Sequence, residues 1–303
     1  MMPRRTPKRN RLFLTLFVLY FTLPRGLAEP DQKIPNDFRH KEGTQHAVTE
    51  DLGGVKSVYT PILLELLQKW PPAGVTYPEP KANPVQIECI ETPGQKDYIG
   101  LQQSLWIDAP LSTVSSILDD VAHYRDLFPG YDEIHVKSRD GNRFLVFWEQ
   151  HIPLFFIPNV KYDVAYLVEK AEKNRAVYRY QLVSGKTLKK DDGIIVLEEV
   201  KSETGTPLRT RYTEYDFYDA DWGILSTDKA WSESTEGIYL SDVAIKLKAE
   251  HPAWNYKQIA EEGKNTLEKY PLASVLKNKV SSVQKFKELL SKKSAAENLP
   301  PKK

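Results

Sequence analysis

The chain has little of what usually announces a chemistry. It holds one cysteine, Cys89, so no intramolecular disulfide can staple it and its stability has to come from packing. Cys89 sits far from the apolar run near the N-terminus, which excludes a lipid-attachment role. Its flanks Ile87 and Ile90 read as a half-buried strand in which the thiol is a small apolar filler. The six histidines, His40, His46, His123, His135, His151 and His251, are scattered without metal-ligand spacing. No G-x-S-x-G elbow, H-E-x-x-H pair or phosphate-cradling glycine loop is present, so no metal or nucleotide cofactor is expected. There is no internal repeat. No stretch beyond the first thirty residues is apolar for long enough to cross a bilayer.

What the N-terminus does have is charge followed by grease. Arg4, Arg5, Lys8, Arg9 and Arg11 come without an acid, and Leu12 to Leu23 is apolar. Gly26-Leu27-Ala28 then puts small residues where a signal peptidase reads them, so residues 1–28 are expected to be a signal peptide cleaved after Ala28. The alternative is an uncleaved anchor, which the run is short to provide, since a span needs about 20 residues. Removing this segment takes away six basic groups and no acidic one, which moves the formal net charge from +1 to −5. A mildly acidic body does not suit nucleic acid, whose phosphates demand a basic face. The absence of N-x-S/T sites fits a bacterial periplasm better than a eukaryotic secretory route, so the protein is expected to be exported, periplasmic or secreted.

With 41% hydrophobic and 11% aromatic residues, the chain can bury one substantial core with appendages. Residues 29–97 read as a polar, proline-rich leader with one amphipathic helix. In it Ile62, Leu63, Leu66, Leu67 and Trp70 recur at helix spacing, expected to pack on the main domain, until Pro71-Pro72 stops them.

Strand-like segments begin at Tyr98: about 98–107, 132–138, 143–151, 160–169, 175–184, 193–202 and 207–219. They are separated by turn compositions such as Asp140-Gly141-Asn142 and Asp191-Asp192-Gly193. The first two strands are divided by a helical period, Val114, Ile117, Leu118 and Val121. Helical periods return at Ile238, Val243, Ala244 and Leu247, then over about 254–269 and 272–290, with breaks at Pro252 and Pro271. The order requires an α+β arrangement, a curved antiparallel sheet closed by helices on one side.

That order, with Trp106-Ile107-Asp108-Ala109-Pro110 running into the helix that ends at Asp119-Asp120, and with Tyr124-Arg125-Asp126-Leu127-Phe128-Pro129-Gly130 after it, resembles the START-like (SRPBCC) superfamily in its polyketide-cyclase and coenzyme-Q-binding-protein branch. The resemblance covers about 98–250. It implies a helix-grip fold: a bent seven-stranded antiparallel sheet wrapped on a long C-terminal helix, with a cavity for a lipid, quinone or polyketide. Residues 98–250 are then a START-like domain, and 251–303 a helical C-terminal extension with a Lys-rich tail. The superfamily shares no catalytic signature, so no active-site residue is carried over.

Aromatics crowd the strands. The expected ligand-binding residues are Phe147, Trp148, Tyr166, Tyr178, Tyr180 and Tyr212, with Phe155 and Phe156 in the apolar, proline-bracketed segment 151–158 as a lip at the cavity mouth or as a plug of the barrel end. If the protein catalyses, His151 and Glu149 share a strand face, and Tyr166 or Tyr212 would donate a proton. Lys189-Lys190-Asp191-Asp192 and Glu198-Glu199 read as solvated charge runs at edges. Residues 272–293 read as a basic amphipathic helix that either lies on anionic lipid or docks on its own domain with lysines in water. The expected function is binding or transfer of a hydrophobic small molecule. The alternatives are a cyclase or dehydratase using the same cavity, and a scaffold whose barrel is filled by its own aromatics.

Overall fold

Turn residues cut the chain from Tyr98 to Ala220 into strands close to where the sequence predicts them. The computed structural model describes residues 52–54, 60–68, 70, 85–91, 98–128, 130–151, 159–172, 174–200, 209–221, 227–270 and 276–280. These all belong to one structural unit, 45–152 with 158–303. The other unit, 1–44 with 153–157, falls wholly outside the described residues, as do the signal-like segment, Phe155, Phe156 and residues 281–293.

Helix α1 (Thr60–Gln68) and strand β1 (Val85–Glu91) come first, then β2 (Tyr98–Ile107), helix α2 (Leu111–Asp119), a 3-10 turn (Val121–His123) and short helix α3 (Tyr124–Leu127). Strands β3 (Tyr131–Asp140), β4 (Arg143–Gln150), β5 (Val160–Glu172), β6 (Arg175–Gly185), β7 (Leu188–Val200) and β8 (Arg209–Ala220) follow. Helices α4 (Thr227–Glu250) and α5 (Tyr256–Lys269) and strand β9 (Leu276–Val280) complete the order.

The strands form one sheet in the order β3-β4-β5-β6-β7-β8-β2-β1-β9. Every neighbouring pair is antiparallel except β1 and β9, which run parallel. The fold is therefore α+β, with an antiparallel sheet and C-terminal helices. Two expectations are corrected. The sheet has nine strands rather than seven, because the leader supplies β1 and the tail supplies β9. Residues 276–280, read as part of a basic amphipathic helix, are a strand whose backbone pairs with Ile87–Ile90, so the helical reading of 272–290 fails there. A five-residue piece with two lysines carries too little apolar pattern to distinguish a strand from a helix turn; a free sheet edge decides it.

The sheet must curl strongly. A flat one would set β3 and β8 about five strand spacings, or roughly 24 Å, apart. Yet Tyr131 of β3 and Tyr218 of β8 line the same cavity as residues of α4. The two-residue β3–β4 hairpin turns on Gly141, whose φ of 57° lies in the left-handed region that tight hairpins need. The far end of α4 is pinned to the end of β2 by two bonds: Lys246 Nζ donates to the Trp106 carbonyl at 2.7 Å and Glu250 accepts from the Asp108 amide at 2.7 Å. Helix α5 opens on a capping box in which Asn255 and Gln258 each accept from the other's backbone amide.

Most of β6 and β7 is buried rather than alternating, so both sheet faces are covered there. Helices α2 and α4 cover the inner face. On the outer face the leader docks: Leu52 packs with Ala165 and Leu167, Trp70 meets the Tyr215 ring edge-on at 6.2 Å, and Thr60 donates to Asp192 at 2.8 Å. Asp192 also accepts from Gln181, which in turn accepts from the Gly54 amide. The outer face also carries a charge ladder across three strands, Arg175–Glu198 at 2.8 Å and Glu198–Arg211 at 3.4 Å. Glu198 is 3% exposed, which corrects its reading as a solvated edge residue.

Removing one member of a buried ion cluster leaves charge uncompensated. Glu198→Ala should cost about 3–5 kcal/mol of unfolding free energy. Denaturant titration followed by circular dichroism checks this, and a change below about 1 kcal/mol would mean the ladder is solvated.

Candidate functional site

Side chains alternate along each strand, so the inner-face sets follow from register: Trp148 and Gln150 on β4, Tyr162, Val164 and Tyr166 on β5, Tyr180 on β6, Asp191 and Ile195 on β7, and Tyr212, Glu214, Asp216 and Tyr218 on β8. Helix α4 crosses them and presents Ile238, Ser241, Asp242 and Ile245 at helical spacing. Between them lies a cavity of about 210 Å³.

Much of this wall is aromatic. Trp148 sits at the centre of the cluster, stacked at 3° on Tyr162 with centroids 6.3 Å apart, and within 5.0–6.4 Å of Tyr131, Tyr124, Phe128 and Tyr166. Tyr166 continues the row to Tyr180 at 5.7 Å. The Tyr180 ring lies across β7 directly over Gly193, where an added Cβ would fall 1.9 Å from the ring. Only glycine allows that approach, and it delivers the Tyr180 hydroxyl to Glu214.

The wall also carries four acids. Glu214 accepts one phenol on each oxygen, from Tyr180 at 2.7 Å and from Tyr212 at 2.6 Å. Asp191 and Asp216 lie within hydrogen-bonding reach of each other, a contact that a proton on one of them would satisfy. Asp242 of α4 completes the group beside Tyr212. Burial pushes all four carboxyls up from their ordinary values. Asp191 reaches about 7, raised further by Asp192; Asp216 is raised also by Asp191 and Glu214, and Asp242 also by Glu214. Asp242 Oδ2, Asp216 Oδ1 and Trp148 Nε1 are buried at the cavity without a hydrogen-bond partner among the described residues. The side-chain amide of Gln103, which stands opposite Glu214 in the β2–β8 register, is likewise buried without a partner among the described residues. Among the described residues no group of three or more His, Cys, Asp or Glu is arranged to hold a metal ion. No helix among them is long and apolar enough to cross a membrane.

Of the residues expected from the sequence, Trp148, Tyr166, Tyr180 and Tyr212 line this cavity. Phe147 does not: it alternates to the outer face, against His135 at 5.0 Å and beneath Lys137. Tyr178 faces inward but lies under α2, where its hydroxyl donates to Asp119 at 3.0 Å. Phe155 and Phe156 are outside the described residues. Neither Glu149 nor His151 lines the cavity. Glu149 is held below its usual range by the Asn159 amide and by Lys161, and His151 pairs with Asp132 at 3.0 Å. The four carboxyls escaped the sequence reading. Asp191-Asp192-Gly193 has a turn composition, yet it lies inside β7, and the turn falls at Lys186-Thr187.

No protein-family model and no curated protein matches the chain. Among solved structures it is similar to the ZhuI aromatase/cyclase from Streptomyces sp. R1128, with 16% identity, 56% of this chain and 96% of that chain covered, and a TM-score of 0.38. It is also similar to a STAR-related lipid transfer protein from Xanthomonas axonopodis, with 13% identity, coverage of 61% and 97%, and a TM-score of 0.40. The lipid transfer and protein localization domain of human StarD13 gives 13% identity, coverage of 65% and 98%, and a TM-score of 0.43.

A carboxyl whose pKa is raised by folding favours the folded state at low pH. That contribution is complete below the unfolded value and is lost as pH rises through the folded one. For Asp191 the window runs from 3.8 to about 7. The melting temperature should fall across this window, and Asp191→Asn should flatten the slope. Thermal melts of both proteins over the window test this, and parallel slopes would remove Asp191 as the source.

Proposed function

We propose that the protein binds and carries one amphipathic small molecule, lipid-, quinone- or polyketide-like, in the cavity between the sheet and α4, outside the cytoplasm. The observation that carries this reading is the wall itself. Aromatic rings from α3, β3, β4, β5, β6 and β8 surround a volume that their side chains leave unfilled, and hydrogen-bonding groups line it beside them. A barrel filled solid as a scaffold would have neither. The volume of about 210 Å³ lies below the roughly 300–1,000 Å³ of pockets for drug-sized molecules. It suits a ring system, or the head and first carbons of a chain. Burying about 200 Å² of such a guest contributes about 5 kcal/mol at roughly 25 cal/mol per Å², before association costs.

A second reading rests on Asp191 and Asp216 side by side. A buried carboxyl raised to about 7, Asp191, next to a second carboxyl that is also raised and beside aromatic walls, can move protons on a bound substrate, as a cyclase or dehydratase requires.

Native mass spectrometry and organic extraction of the purified protein should release one small molecule in near-stoichiometric amount. Tyr166→Trp, which adds bulk inside the cavity, should abolish it. An empty protein that also takes up no apolar probe would overturn the reading. Recovery of a guest whose mass changes on incubation, and stays constant with Asp191→Asn, would favour the enzyme.

Export rests on residues 1–28. The protein expressed in a Gram-negative host should be recovered from the periplasm with Glu29 as its first residue. A membrane-bound product that retains Met1 would make the segment an anchor, and a cytosolic one would remove export.

A further inference from the structure

This protein pairs its buried acids wherever the outer face lets it. Glu198 has Arg175 and Arg211, and Glu169 has Arg179 at 3.8 Å. The cavity breaks that rule. Its lining carries Asp191, Glu214, Asp216 and Asp242 and, among the described residues, no lysine, arginine or histidine. Four carboxyls around one small volume without a cation are costly to ionise, and a side chain of the same shape without charge would avoid the cost. The arrangement becomes favourable when the missing positive charge comes with the guest.

We propose that the head group this cavity selects is a cation, a protonated amine or a quaternary ammonium on an apolar body, which enters between Asp242 and the Asp191–Asp216 pair and supplies the counter-charge the wall lacks. The proposal rests on the binding reading above and deepens it.

Two observations independent of the acid count point the same way. Asp242, 1% exposed, and Asp216, 7% exposed, each present a carboxyl oxygen at the cavity with no donor among the described residues, so two acceptors face the guest. The lining also carries aromatic faces: Tyr166, Tyr180 and Trp148 offer the electron-rich surfaces that attract ammonium groups, by about 2 kcal/mol when desolvated.

The titratable groups that face the four acids are uniformly neutral or acidic. Asp192 adjoins Asp191, Tyr180 and Tyr212 hold Glu214, and the phenols of Tyr124, Tyr131, Tyr162 and Tyr166 look across from the opposite wall. With nothing else to compensate them, the carboxyls take up protons in the free protein. An arriving cation reverses this and expels protons, so its affinity must rise with pH.

The test uses three probes of nearly equal size: benzyltrimethylammonium, its uncharged isostere neopentylbenzene, and phenylacetate. Titration calorimetry is run in two buffers of different ionisation enthalpy. The cation should bind at least about tenfold tighter than the isostere near pH 7. Its binding should release protons and tighten between about pH 5 and pH 8, while the isostere should do neither. Asp242→Asn and Asp216→Asn, which keep shape and remove charge, should each erase most of the preference without weakening the isostere. Equal or tighter binding of the neutral or anionic probe would overturn the cation and leave the binding reading standing. Failure of all three probes would overturn both.

Discussion

Wrapping a sheet so tightly that its middle strands are covered on both sides removes their polar groups from water, and each must then find a partner inside the protein. The outer face meets this constraint with strand-to-strand ladders of arginine and glutamate, and with a leader segment tied to Gln181 and Asp192. The inner face meets it only in part. Glu214 receives two phenols, but oxygens on Asp216 and Asp242 and the indole nitrogen of Trp148 are left over. These inner-face groups lie around one cavity.

The strand boundaries were legible because turn chemistry and alternation agree over most of the chain. Asp140-Gly141-Asn142 is a hairpin in the sequence and in space, and Tyr162, Val164 and Tyr166 share the face their spacing assigns. The acids could have been found by the same rule. Counting by twos along β8 from Tyr212 gives Glu214, Asp216 and Tyr218, and the apolar stripe of α4 at Ile238 and Ile245 contains Asp242. Attention to aromatics alone passed over them, although a carboxylate on an apolar face is the rarer and more informative residue.

Two features were illegible for physical reasons. The turn-like Asp191-Asp192-Gly193 lies within β7 because the Tyr180 ring needs the space a glycine leaves and because both aspartates find partners across strands, and neither fact is local. Strand β9 exists through pairing with β1, which lies nearly two hundred residues earlier, so no window of sequence around residues 276–280 contains the reason for it.

That long-range pairing extends to the centre of the sheet. Strand β2 has β8 as its neighbour, with Tyr98 opposite Asp219, and α4 must follow β8 before anything can lie across the curl. An incomplete chain therefore has the rings and the acids but no enclosure: the hollow exists only once β2, β8 and the helix that follows them are all in place.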